Sequence, residues 1–316
     1  MSLRIRLLAA ALGGAAALAV PLAAGGGYEL QVVNIAILNA IVVLGLNFVT
    51  GWTGQVNFGQ AAFYGLGAYT TALASRAGAP WIVTPALSAL AAAAAGLVLA
   101  VPTLRLRTYY LAMTTIGFGE IVRLVIVHWE PVTGGTSGLR AIPGITLLGV
   151  PLEGQVAHYY LLLGVLALGA LCAARIRASA LGRAMIATRD SEIAAELSGV
   201  DTARTKLTAL VIAAVYAGIA GCLYASSIRY ISPDSFTSTQ AVLLMTMLIV
   251  GGAGSIPGSI AGAVGLTILP EFLRFMGQWY LVLYGAGVVA VIALAPGGLA
   301  AGVSALSRRR PGIAAG

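Results

Sequence analysis

Lys206 is the only lysine in the chain, and it stands in Arg204-Thr205-Lys206-Leu207 with no glycine-rich loop ahead of it. A phosphate-cradling loop needs those glycines, whose backbone N–H groups hold the phosphates while the lysine reaches the terminal one. ATP hydrolysis by this chain itself is therefore not expected. His128 and His158 are not spaced as metal ligands and fall at the ends of apolar runs, where an amphipathic ring suits a membrane interface. Cys172 and Cys222 lie inside apolar runs and read as small buried hydrophobes, not as a disulfide or metal ligands. An intramembrane protease or metalloenzyme would need paired Asp, a Ser–His partnership or a His–Glu cluster at helix depth, and none is visible. No catalytic residue, metal or cofactor is expected.

Two polar groups inside apolar runs remain. Glu120 and Arg123 are three residues apart, on one helix face, where they can pair. A lone charge at mid-bilayer costs about 2.5–3.5 kcal/mol on insertion scales, so such residues pair or face a cavity. The two read as a structural ion pair near the outer interface; the competing reading is a pathway or gating site. Gln55, Asn57 and Gln60 stand in the glycine-rich stretch 51–69, where small residues such as Ala61 with Gly65, or Gly65 with Ala68, let backbones approach. Their amides need partners within protein, at a helix interface or along a polar pathway. A second Gly and Pro cluster at 251–262 marks a turn or a broken helix. The segment 133–139 reads as an exposed, flexible turn.

The elements that hold these residues follow from composition. The 316 residues are 59% hydrophobic and 9% charged, with mean hydropathy +0.95, against about 25% charged in a soluble domain. That excludes a soluble fold. About 20 helical residues span a bilayer core, and open sheets are forbidden there because edge amides go unpaired. The expected fold is all-α and polytopic, a single domain over 1–316 with about ten spans (range 8–10). They begin near Leu7, Leu30, Gln55, Trp81, Tyr109, His158, Lys206, Phe236, Ser259 and Tyr280, with 56–75 and 251–270 as candidates for re-entrant or broken helices. Lys and Arg favour the cytoplasmic side. With both termini inside, Arg4, Arg6, Arg105, Arg107, residues 175–206 and Arg308–Arg310 all fall in the cytoplasm, and the outer loops are poor in positive charge. The net charge of +8 then reflects inner-leaflet bias and requires no nucleic acid. The run from Leu7 to Ala24 reads as a retained helix, with a cleavable signal peptide as the rival.

The segment 175–206 holds ten of the chain's charged residues, drawn from 18 basic and 10 acidic. Within it, 191–199 reads Ser-Glu-Ile-Ala-Ala-Glu-Leu-Ser-Gly: a two-turn helix with Asp190 or Ser191 as N-cap and Gly199 as the left-handed stop. Ile193 and Leu197 share one face. Glu192 and Glu196 stack four apart, a like-charge pair that costs a few tenths of a kcal/mol unless a cation meets it. A helix this short is marginal alone and reads as an element completed by a partner.

Residues 51–69, 133–139, 180–184 with 192–199, 206–224 and 250–262 together resemble the LivM-type permease of bacterial ABC importers for branched-chain amino acids, in order through most of the chain. The resemblance implies a multi-pass subunit of the bacterial inner membrane that pairs with a LivH-like permease, two cytoplasmic ATPase subunits and a periplasmic binding protein, in contact with membrane lipid. It implies that 175–206 carries the coupling helix, with Arg183, Glu192, Ile193, Ala194, Ala195, Glu196 and Gly199 at the ATPase. The family signature is Glu-Ala-Ala, three residues, then Gly; this chain keeps Ala194, Ala195 and Gly199 but has Ile193 at the Glu position and Glu192 one place earlier. Related systems handle urea, amides or other amino acids. A standalone secondary transporter or channel is the reading from a different class, but it calls for buried ionisable coupling residues, and one ionic pair is present.

Overall fold

The computed structural model describes residues 18–21, 27–103, 108–147, 150–152, 154–294 and 297–299. The α-helices of six residues or more are α1 (Tyr28–Leu46), α2 (Gln60–Arg76), α3 (Thr84–Thr103), α4 (Thr108–His128), α5 (Gln155–Ala178), α6 (Ala180–Asp190), α7 (Glu192–Leu197), α8 (Thr202–Ile228), α9 (Ser238–Gly251), α10 (Ile256–Leu273) and α11 (Tyr280–Leu294). Among the described residues, six stretches are long and apolar enough to cross a bilayer: Tyr28–Trp52, Trp81–Pro102, Tyr110–His128, Gln155–Ala178, Thr202–Ile228 and Ile256–Leu273. The helices α2, α9 and α11 are shorter. Of the run expected from Leu7 to Ala24, residues 18–21 are described and the rest lies outside the described residues.

The core is built on α1 and α8. The α1 helix is buried along most of its length and packs against α10, α5 and α8. The α8 helix lies between α2, α3 and α1. Its approach to α2 is backbone on backbone: a Cβ on Gly67 would sit 2.3 Å from the Gly218 carbonyl oxygen, and one on Gly221 would sit 2.2 Å from that of Tyr64. Lipid offers no hydrophobic drive between helices, so close packing and interhelical hydrogen bonds must hold such a crossing. Ser88 of α3 supplies one, donating Oγ to the Gly67 carbonyl at 2.9 Å, while Thr71 Oγ1 lies 2.7 Å from Ser88 Oγ. The close approach is therefore at Gly67, and Gly65 instead faces the Phe236 ring.

Several expected boundaries move. The helix expected from Gln55 begins at Gln60, because Gly54 turns the chain at φ +71 and Asn57 Oδ1 accepts from the Gly59 N–H at 2.8 Å, closing a local turn. Just before it, α1 continues as a π-helix over Asn47–Trp52. The helix expected from Lys206 begins at Thr202, since Asp201 caps it by accepting from Arg204 N at 2.9 Å. The helix expected from Ser259 begins at Ile256, capped by Ser255. At the opposite end of the bundle, two-residue strands pair antiparallel: β1 (Leu139–Arg140) with β4 (Tyr230–Ile231), and β2 (Thr146–Leu147) with β3 (Val150–Pro151). The segment 133–139 is more enclosed than expected: Thr133, Gly135 and Leu139 are buried, and only Thr136 and Ser137 are exposed. Cys222 is buried, but Cys172 is exposed on α5, a correction that follows from α5 turning much of its surface outward.

Candidate coupling site

The polar segment folds as three consecutive helical pieces. Ser179 ends α5 and caps α6, its hydroxyl accepting from Gly182 N at 3.5 Å. Gly182 is pressed against the end of α5, where an added Cβ would lie 2.4 Å from the Ile176 carbonyl oxygen. Met185 anchors α6 in the core, while Arg183 is exposed and donates to the Ala178 carbonyl at 3.1 Å.

The two-turn helix is α7. Of the two N-cap candidates it is Ser191 that caps, accepting from Ala194 N at 3.3 Å, whereas Asp190 closes α6. At the other end Gly199 takes φ +83, with Gly199 N donating to Glu196 O and Val200 N to Ala195 O, the paired bonds of a Schellman stop. The like-charge pair is relieved from α8. Lys206 Nζ pairs with Glu192, and Thr202 Oγ1 donates to Glu196 Oε1 at 2.6 Å. The single lysine fastens α7 to the first turns of α8.

That mounting leaves the apolar pair uncovered. Ile193 is 73% exposed and Leu197 85% exposed, Ala194 is exposed beside them, and Ala195 alone turns inward. A shallow cavity of about 250 Å³ lies beside the helix, lined by Ala187, Ala194 and Ser198, and another of about 400 Å³ lies between α6 and the start of α8, lined by Leu181, Ala184 and Arg204. A short, capped, braced helix thus presents isoleucine and leucine outward.

The polar residues of 51–69 divide. Gln60 is fully buried and donates Nε2 to the Ala213 carbonyl of α8 at 2.9 Å and to that of Val42 in α1 at 3.4 Å. Asn57 is buried beside it, with Nδ2 at 3.5 Å from Gln60 Oε1. Both sit in a helix interface. Gln55 is half-buried, and its backbone N–H donates to Val49 O. Glu120 and Arg123 pair through Glu120 Oε1, at 2.9 Å from Arg123 Nε and 2.5 Å from the terminal nitrogen. A cavity of about 500 Å³, lined by Asn39, Tyr64, Tyr224, Gln240 and Thr267, opens among α1, α2, α8, α9, α10 and α11. Sequence reasoning missed Arg189, which ends α6 and donates to the Gly51 carbonyl at 2.6 Å. The partners are 138 residues apart, and no local pattern announces the bond.

Residues 29–294 match the family model described as the branched-chain amino acid transport system permease component. The chain belongs to that permease family. It is 35% identical over 295 residues to the high-affinity branched-chain amino acid transport system permease protein LivM of Escherichia coli K12, an alignment covering 84% of this chain and 69% of LivM. It is 33% identical over 296 residues to LivM of Salmonella typhimurium, covering 86% and 69%. A more distant relative is the autoinducer 2 import system permease protein LsrC of Escherichia coli, 31% identical over 196 residues, 53% of this chain and 57% of LsrC. No solved structure matches. The chain is thus a multi-pass membrane permease, a transport subunit of a branched-chain amino acid ABC importer.

Proposed function

We propose that this permease forms, with a second LivH-like permease, the path by which leucine, isoleucine and valine cross a bacterial inner membrane after delivery by a periplasmic binding protein. Two cytoplasmic ATPase subunits hydrolyse the ATP. The segment 175–206 and both termini face the cytoplasm, about ten spans cross the bilayer, and α7 is the element the ATPase grips, through Arg183, Glu192, Ile193, Ala194, Ala195, Glu196 and Gly199. ATP-driven closure of the ATPase pair pulls on α7; the Lys206–Glu192 and Thr202–Glu196 contacts pass the pull to α8, whose glycines lie against α2. Asn57 and Gln60 hold the α1–α2–α8 interface, Gln55 stands at its edge, and Glu120 with Arg123 is a structural pair. The observation that carries this reading is the uncovered Ile193 and Leu197 on a helix otherwise fully capped and braced.

The test uses the assembled importer with a cysteine at position 193, in a background lacking Cys172 and Cys222. A crosslink to the ATPase and uptake of radiolabelled leucine into proteoliposomes are expected. Absence of the crosslink in a transporting complex defeats the docking assignment, and ATP-dependent uptake of another solute in place of leucine defeats the substrate assignment.

A further inference from the structure

The cytoplasmic insert has a second attachment to the bundle, separate from the Lys206–Glu192 brace. At the end of α6, Arg189 reaches across to the π-helical end of α1 and donates Nη1 to the Gly51 carbonyl at 2.6 Å. A helix C-terminus carries unsatisfied carbonyls and partial negative charge, so a guanidinium is favourably placed there, and a bond from an ionised donor is about twice as strong as a neutral one. The same guanidinium rests on the turn between α9 and α10: a Cβ at Gly254 would lie 3.1 Å from Nη1. That turn is tied in its own right to α1, because Gly254 N donates to Asn47 Oδ1 at 2.7 Å and Trp52 Nε1 donates to Gly254 O at 3.2 Å.

The seat is made of glycine on three sides. A Cβ on Gly51 would meet Asn47 Oδ1 at 1.8 Å, and one on Gly54 would lie 3.1 Å from Arg189 Cγ. Gly54 and Gly254 also hold φ of +71 and +90, backbone that other residues adopt only with strain. The α1 segment beneath is itself irregular. It is a π-helix, an element that concentrates at functional sites, and it buries Asn47 Nδ2 and Thr50 Oγ1 with no partner among the described residues. An unsatisfied buried polar group penalises the arrangement that contains it, so this joint gains from any second arrangement that satisfies those atoms. Arg189 is the one charged side chain of α6 or α7 with a hydrogen bond to this joint among the described residues.

We propose that Arg189 is a positioning residue for transport: it links the cytoplasmic insert to the glycine joints ending α1 and connecting α9 to α10, so that movement of the insert bends both at once. It touches neither substrate nor ATP. The inference rests on the proposal that the ATPase docks on α7. It adds that force leaves the insert by two routes, α8 through Lys206 and the α1/α9–α10 joint through Arg189.

The experiment measures leucine uptake and binding-protein-stimulated ATP hydrolysis in the same proteoliposomes, for the complete importer carrying Arg189→Ala or Arg189→Lys, with the position-193 crosslink scored in each. For Arg189→Ala the expected result is an intact crosslink, ATP hydrolysis within about twofold of the parent, and at least a tenfold fall in leucine taken up per ATP. Arg189→Lys, which can still offer one N–H to the Gly51 carbonyl, should recover a large part of that ratio. Unchanged uptake per ATP in Arg189→Ala overturns the inference, as does a parallel fall in uptake and hydrolysis, or a Lys variant no better than Ala. Loss of the crosslink in the parent complex, by contrast, is a failure of the docking proposal alone.

Discussion

Replacing Ile193 and Leu197 by alanine together tests the docking surface with little risk to the fold. Both side chains are already mostly exposed, 73% and 85%, so their removal opens no cavity, and alanine is the best helix former for a two-turn segment. The free permease should keep its yield and thermal stability. Each truncation removes about three carbons at about 0.8 kcal/mol per buried CH₂. Scaled by those exposures, the pair forfeits up to about 4 kcal/mol of burial against the ATPase. Interfaces return only part of their buried area as affinity, so a loss near 2 kcal/mol is the working figure, or roughly thirtyfold in Kd. The assay titrates fluorescent ATPase subunit into the solubilised permease pair and, in parallel, measures leucine uptake in vesicles. Affinity within twofold of the parent, with the fold intact, would refute the argument that these two residues form the docking surface.

Gly199 tests the same helix from its end. Nothing lies within 4 Å of a Cβ there, so Gly199→Val should suffer only from the φ of +83, about 1–2 kcal/mol, while Gly199→Asn, which tolerates that backbone, should keep uptake near normal at equal expression. For the Glu120–Arg123 pair, either single neutralisation should lower the yield of solubilised protein, and the double variant Glu120→Gln with Arg123→Met should restore it along with some transport. A well-folded double variant without uptake would place the pair on the transport path. Cysteines placed singly at Ser179 and Ser137, both exposed, should label from opposite sides of the membrane once Cys172 and Cys222 are removed; same-side labelling breaks the orientation.

The features that sequence reading placed well are those governed by short-range bonds. The Ser191 cap and the Gly199 stop each close within a few residues, so Ser-Glu-Ile-Ala-Ala-Glu-Leu-Ser-Gly carries nearly all the information needed to set α7. The apolar runs were equally legible, because the chain must satisfy its backbone by helix wherever it meets lipid. Boundaries failed where a polar side chain replaced the backbone partner. Asp201 starts α8 four residues ahead of the apolar run, and Asn57 holds a turn where apolarity alone extends a helix. Cys172 was misplaced because a bilayer makes apolar character uninformative about burial: a lipid-facing position and a core position have the same composition, and only packing separates them.

Charge in the sequence does not say which partner a side chain takes, as Lys206 and Arg189 show. In sequence both belong to one charge-rich stretch, 175–206, each equally fit for solvent, a carboxylate or the inner leaflet. In the fold they do different work: Lys206 neutralises Glu192, whereas Arg189 finds no carboxylate among the described residues and spends its hydrogen bond on a helix-end carbonyl. The first could have been foreseen from the Glu192 and Glu196 repulsion, which demands a cation nearby. The second depends on α1 ending in a π-turn beside a glycine turn from α9–α10, three segments brought together only by tertiary packing. A contact of that kind follows from no local sequence pattern, because its partners meet only once distant segments have packed, whereas a cap bonds within its own helix and is written in a few consecutive residues.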